Sequence, residues 1–159
     1  KSPIDIYGKN KLISEKKIIK IKKNLLILRL SNIVGKSESK KRRKITHLFF
    51  DDIRKNLKKN KVIIPKKTYF KDFLLVDDFV KIVYLCILKN VSGVYNLSAN
   101  IKIYLNSLAN KISLLTGAKI LYSNEKTYSF TLNNNKILKK LKIKKKLLNL
   151  ENNLIKVIR

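Results

Sequence analysis

An α/β fold is predicted by three features of this 159-residue sequence. Short apolar runs of strand length alternate with longer segments whose apolar residues recur every three or four positions. The chain is 45% apolar with only two prolines, which suits a buried core and excludes a disordered tail. No internal repeat or long linker interrupts it, so a single domain is expected.

Pro3 and Asp5 suit a helix start, and IYGKNKLISEKKIIKIKK then reads as a helix to about Lys23. NLLILRLS (24–31) is almost continuously apolar, the pattern of a strand buried on both faces in a parallel sheet. NIVGKSESKKRRK reads as a polar loop. THLFFDDIRKNLKKN (46–60) offers Thr46 as N-cap and apolar residues at 48, 49, 53 and 57, which is helical spacing. KVIIP is a brief strand ended by Pro65, and KDFLLV (71–76) is another. Asp77 or Asp78 then caps a helix through FVKIVYLCILKN, and SGVYNLS (92–98) forms a strand. A helix over about 105–116 stops at Gly117, a natural C-terminal cap, before the strand KILYS. Two helices, NNNKILKKLKI and LENNLIKVI, close the chain.

The formal charge of +28 raises an alternative function, a small basic nucleic-acid-binding protein. Two features weigh against a specific nucleic-acid partner. The basic residues are nearly all lysine, whereas base and phosphate readers favour the planar fork of arginine. They are also spread over every segment, with dense runs only at KKRRK (40–44) and KKLKIKKK (139–146). Lysine, asparagine and isoleucine together are what an A/T-rich gene writes at positions free to vary. One cysteine excludes an internal disulfide, and with a single histidine, His47, no zinc ligand set can be assembled; no metal is expected. Cys86, within IVYLCIL, reads as a buried helical thiol. No apolar run approaches the length needed to cross a bilayer, and KSPIDIYGKN holds no signal-like apolar stretch, so a cytoplasmic protein without membrane contact is expected.

Tyr7 and Lys11 stand four apart, one turn above each other on a helix face. A lysine so held stabilises the phenolate and draws a tyrosine down from its ordinary pKa of about 10. The spacing alone is uninformative: with seven tyrosines among so many lysines, chance supplies one or two such pairs, and there are two, Tyr7/Lys11 and Tyr122/Lys126. The segments downstream give the first pair weight. A strand ends in RLSNIVG, with Arg29, Asn32 and Gly35 spaced by threes; then come KDFLLVDDFVKIV and GVYNLSAN. In that order the segments resemble the second half of the extended short-chain dehydrogenase/reductases, the NAD-dependent epimerase/dehydratase family that modifies nucleotide sugars. The matching residues are Tyr7, Gly8, Lys11 and Glu15, then Arg29, Asn32 and Gly35, then Asp72, Phe73, Val76 and Asp78, then Gly93, Tyr95 and Asn96. The C-terminal tail also looks like the family's closing helices.

The resemblance implies the C-terminal part of a Rossmann-like, doubly wound domain with a small α/β substrate-binding subdomain. Residues 1–159 would form a single partial domain: 1–35 the last part of the Rossmann core, and 36–159 the substrate-binding region. The family's Gly-rich cofactor turn cannot be assembled from the four glycines at 8, 35, 93 and 117, so the chain is expected to be a fragment, inactive alone. The resemblance makes Tyr7 the proton donor or acceptor at the sugar. Lys11 would hold the nicotinamide ribose and keep Tyr7 acidic, and Ser31 would approach the nicotinamide of NAD or NADP. It assigns Asn32 to the phosphate or sugar of a nucleotide-sugar substrate. Lys71 stands where relatives carry a diphosphate-binding arginine, and relatives often form homodimers through the helix of the Tyr–Lys pair.

Other candidates fall away. Asp51/Asp52 and Asp77/Asp78 are adjacent, so they point apart on a helix and make poor acid/base dyads. His47, just inside a helix start, reads as a surface residue. Tyr95 and Asn96 read as supports for the end of their strand. The sequence departs from the family where Lys36 rather than proline follows Gly35, where NLSAN lacks two glycines, and where PKKTY lacks one. These changes mark a divergent member or relaxed constraint.

Overall fold

The computed structural model describes residues 3, 5–21, 24–35 and 49–143. In chain order its elements are α1 (Ile6–Ile21), β1 (Leu26–Leu30), β2 (Asn32–Val34), α2 (Phe49–Leu57), β3 (Lys61–Pro65), β4 (Phe70–Lys71) and β5 (Phe73–Leu75). They continue with α3 (Val76–Leu88), β6 (Gly93–Leu97), β7 (Ile103–Tyr104), α4 (Leu105–Thr116), β8 (Lys119–Ser123) and α5 (Asn135–Leu141). β1 pairs with β6, β2 with β5 and β3 with β8, all parallel, while β4 and β7 are antiparallel. Parallel neighbours need crossovers, and helices lie in every one of them, which is the expected α/β class.

Ser31 is where the chain changes partner. Its amide donates to the Leu97 carbonyl at 3.1 Å, closing the ladder with β6. The Asn32 amide, one residue on, donates to the Asp72 carbonyl at 3.2 Å and opens the pairing with β5. β5 in turn joins two cores, because successive residues of a strand point to opposite faces. Phe73 and Leu75 pack with α2, α4 and β3, and Leu74 packs with Ile82, Cys86, Tyr95, Leu97 and α5. Phe73 stacks on Phe49 with ring centroids 5.8 Å apart and meets Phe50 edge-on at 4.9 Å, which seats α2 on the strand.

Several expectations need correction. The 24–31 strand is only half-buried, and Leu30 is exposed, since among the described residues β1 has one sheet neighbour, β6. Asn32–Val34 is strand rather than loop, because three residues suffice for the ladder with β5. The 71–76 strand is split at Asp72, and Val76 already belongs to α3. Neither Asp77 nor Asp78 is the cap: Leu75 takes the N-cap position without a side-chain bond, and the two aspartates lie in the first turn, where they complement the helix dipole. β7 was not expected. Gly117 does end α4, in the left-handed conformation at φ 71°. Thr46, His47 and the final helix over LENNLIKVI lie outside the described residues.

Candidate active site

α1 begins where Asp5 Oδ1 accepts the Gly8 amide at 2.7 Å, satisfying one of the orphan donors of the first turn. No residue of α1 is buried, and of its large apolar side chains only Leu12 is half-buried, so apolar packing holds it weakly. A forked ion pair holds it too: Arg29 Nε donates to Glu15 Oε2 at 2.9 Å, and Nη2 to Oε1 at 2.5 Å. The bond to Glu15 raises the Arg29 pKa above its ordinary value, against an opposing effect of burial. Tyr7, Lys11 and Glu15 are spaced by fours and share one face, so clamping Glu15 to β1 also sets the direction of the pair. The fork seats α1 beside β1, whose carboxyl end is Leu30. Lys11 Nζ lies 5.5 Å from the centre of the Tyr7 ring, and Tyr7 is 70% exposed.

Ser31 and Asn32 sit at that carboxyl end, the side on which open parallel sheets bind ligands. Ser31 is buried, and its hydroxyl has no hydrogen-bond partner among the described residues. Asn32 Nδ2 donates to the Asp72 carbonyl at 2.9 Å, so its side chain ties β2 to the 70–75 segment while also lining a cleft with Val34, Phe49 and Arg54. Arg54 latches that cleft, donating to the Gly35 carbonyl at 2.8 Å and to Asp51 at 2.7 Å. Gly35 must stay small: a Cβ there would lie 2.6 Å from Val76 Cγ1.

Lys71 lines a second cleft of about 470 Å³ on the other side of α2, with Phe49, Asp52, Pro65, Leu105, Glu125 and Thr127. Its ammonium donates to Thr127 Oγ1 at 2.5 Å and to the Tyr128 carbonyl at 2.8 Å, and burial holds its pKa below the ordinary 10.5. Beside it, Asp72 is fully buried, and burial pushes its carboxyl above the ordinary carboxylate range. The Leu132 amide donates to Asp72 Oδ2 at 3.1 Å, and Ser98 with the amides of Ala99 and Asn100 also favours the anion.

The structure thus brings Tyr7 and Lys11 together, and it ties Asn32 of β2 to Asp72, the residue that follows Lys71 at the end of β4. No hydrogen bond among the described residues joins the Tyr7/Lys11 pair to Asn32 or Lys71. Tyr95 and Asn96 support their strand, as expected: the Tyr95 hydroxyl donates to the Ser92 carbonyl at 3.0 Å, and Asn96 Nδ2 to the Asn133 carbonyl at 3.1 Å. Sequence reasoning missed Arg54, Ser123, Glu125 and Thr127. The last three belong to β8 and the irregular segment after it, whose lack of periodicity carries no positional signal. Among the described residues no group of His, Cys, Asp and Glu is arranged to hold a metal, and no helix is long and apolar enough to cross a membrane.

Comparison with known proteins bears on the family and the fold. A model of the NAD dependent epimerase/dehydratase family matches residues 2–100. No curated protein matches the sequence. Among solved structures, UDP-N-acetylglucosamine 4-epimerase from Bacillus cereus matches with a TM-score of 0.69 and 20% identity over 89% of this chain and 51% of that one. The dTDP-glucose 4,6-dehydratase of Bacillus anthracis, solved with NAD, matches with a TM-score of 0.77 and 16% identity over 99% of this chain and 52% of its own. RMD of Pseudomonas aeruginosa, complexed with NADPH, matches with a TM-score of 0.71 and 15% identity over 99% of this chain and 56% of that one. At these identities the likeness is one of fold, and the chain spans about half the length of these structures.

Proposed function

This chain belongs to the NAD-dependent epimerase/dehydratase family, and on that premise we propose that it is the C-terminal portion of a nucleotide-sugar epimerase, dehydratase or reductase, with Tyr7 and Lys11 as the catalytic pair. The observation that carries the reading is the shared face of Tyr7, Lys11 and Glu15, fixed to β1 by the Glu15–Arg29 fork. Residues 1–35 contribute the catalytic helix and the last cofactor-facing strand, and 36–159 contribute most of the substrate side.

The chain's own residues fit a nicotinamide cofactor at one edge. Ser31 keeps a buried hydroxyl without a partner among the described residues at the carboxyl end of β1, and Lys11 and Tyr7 offer an ammonium and a phenol from α1. NAD or NADP, when bound, supplies hydride exchange at the reacting sugar carbon. Tyr7 gives or takes the proton at the sugar oxygen, and Lys11 is the counter-charge for the phenolate formed when that proton leaves. Lys11 would also hold the ribose hydroxyls, and Ser31 would meet the nicotinamide. Asn32 and Lys71 hold the sugar and phosphate of the substrate, with Lys71 neutralising charge but lacking the bidentate grip of arginine. The exposed Ile6, Ile13 and Ile21 of α1 suit a homodimer contact in the longer enzyme.

Thermal unfolding with NAD and with NADP tests the reading, comparing this chain with a longer protein that carries the Gly-rich half. A cofactor at a hundred times its Kd stabilises by about 2.7 kcal/mol. The longer protein is expected to shift and this chain, inactive alone, to stay unmoved; no shift in the longer protein would remove the enzyme reading.

A further inference from the structure

Residues 124–134 form an irregular strap between β8 and α5, and its two ends are fastened differently. The later part is stitched to the body by bonds that a bound ligand need not disturb. The Phe70 amide donates to Ser129 Oγ at 3.0 Å, Leu132 exchanges bonds with Asp72 and Ser98, and Asn96 holds Asn133. The earlier part, which walls the Lys71 cleft through Glu125 and Thr127, is held among the described residues by Lys71 Nζ, at Thr127 Oγ1 and the Tyr128 carbonyl.

A lysine ammonium has three N–H donors in tetrahedral directions and, on its flexible stem, loses much freedom when it is fixed. Two of the three are taken by Thr127 and Tyr128, and the Phe130 ring lies 5.9 Å from Nζ. Resting on the reading of Lys71 as the phosphate-holding residue, we propose that Thr127 is a positioning residue: its hydroxyl anchors the Lys71 ammonium so that the remaining N–H serves an anion in the cleft. The strap thereby replaces part of the geometric restraint that an arginine fork supplies by its own rigidity. Ordering one long side chain opposes binding, so losing the anchor weakens anion binding by about three- to tenfold.

A double-mutant cycle on the chain tests this, with UDP as probe, calorimetry as readout and 0.15 M salt to suppress diffuse attraction to the surplus lysines. Thr127→Val is expected to weaken UDP binding about three- to tenfold, and Thr127→Ser, which keeps the hydroxyl, to restore it. Lys71→Met is expected to weaken binding further, and adding Thr127→Val to it to change nothing more. A Lys71→Met chain that binds UDP like the wild type removes the reading of Lys71 itself. If Lys71→Met weakens binding while Thr127→Val leaves it unchanged, or adds its full effect on top of Lys71→Met, Lys71 stands and the positioning role of Thr127 is overturned. Thr127→Ser keeps the cycle readable if the valine variant misfolds, since a loss of affinity in the serine variant equal to that of Lys71→Met also rejects the role.

Discussion

Lys71 has a pH signature that an arginine would lack. Burial lowers its pKa below the ordinary 10.5, so the ammonium is charged below that lowered value and neutral above it. Anion affinity is therefore expected to hold at neutral pH and to fall as pH rises through the Lys71 pKa. Lys71→Arg should keep its affinity through the same range, because a guanidinium stays protonated. UDP titrations at stepped pH check this, and identical profiles for the two proteins would contradict it. Asp72 carries the opposite sign. Its folded-state pKa is raised, so its contribution to stability is full below the ordinary carboxylate pKa and is lost as pH rises through the raised value. Urea midpoints for wild type and Asp72→Asn should diverge across that rise, with the wild type losing stability relative to the variant. Parallel curves would mean that Asp72 titrates normally.

At the scale of elements, α1 is the vulnerable part. A helix of 16 residues with nothing buried is marginal by propensity alone, and the Arg29–Glu15 fork is one of its attachments. Arg29→Met is expected to remove hydrogen-exchange protection from Ile6–Ile21 while leaving β3, β5 and α4 protected; equal loss everywhere would show that α1 is part of the global unit. Core substitutions behave differently: Phe73→Ala, which empties the centre of the Phe49–Phe50–Phe73 cluster, should cost about 3–5 kcal/mol in urea unfolding. Much of this architecture was legible in the sequence. Gly117, the apolar run KVIIP and the helical spacing around Phe49 and Ile53 each carry a local signal that matches the tertiary outcome. The illegible parts depended on partners distant in sequence. The half-burial of β1 comes from its having one neighbour, the break at Asp72 from contacts with residues 98–100 and 132, and the clamp on α1 from a pair fourteen residues apart. Of the candidate site, Tyr7 and Lys11 were readable only through the ordered motifs downstream, and Thr127 was not readable at all.

At the scale of the whole molecule, the chain spans about half of its solved neighbours and bears a formal charge of +28. Among the described residues, exposed large apolar side chains include Ile6, Ile13 and Ile21 on α1, Val80, Tyr84, Ile87 and Leu88 on α3, and Leu114 and Leu115 on α4. Such surface favours self-association. Sedimentation of the isolated chain is expected to show concentration-dependent association that persists at high salt, as apolar contact does and charge attraction does not; a monomer at all concentrations would contradict this. The most direct test of the central claim is a single atom. In the longer protein with its cofactor half, Tyr7→Phe removes only the hydroxyl of an exposed ring. We expect the variant to keep its thermal shift with NAD or NADP and to lose turnover of its nucleotide sugar by about 10²–10⁴-fold, the share that a positioned acid/base supplies. Turnover that survives the change would return Tyr7 and Lys11 to a chance pair among many lysines.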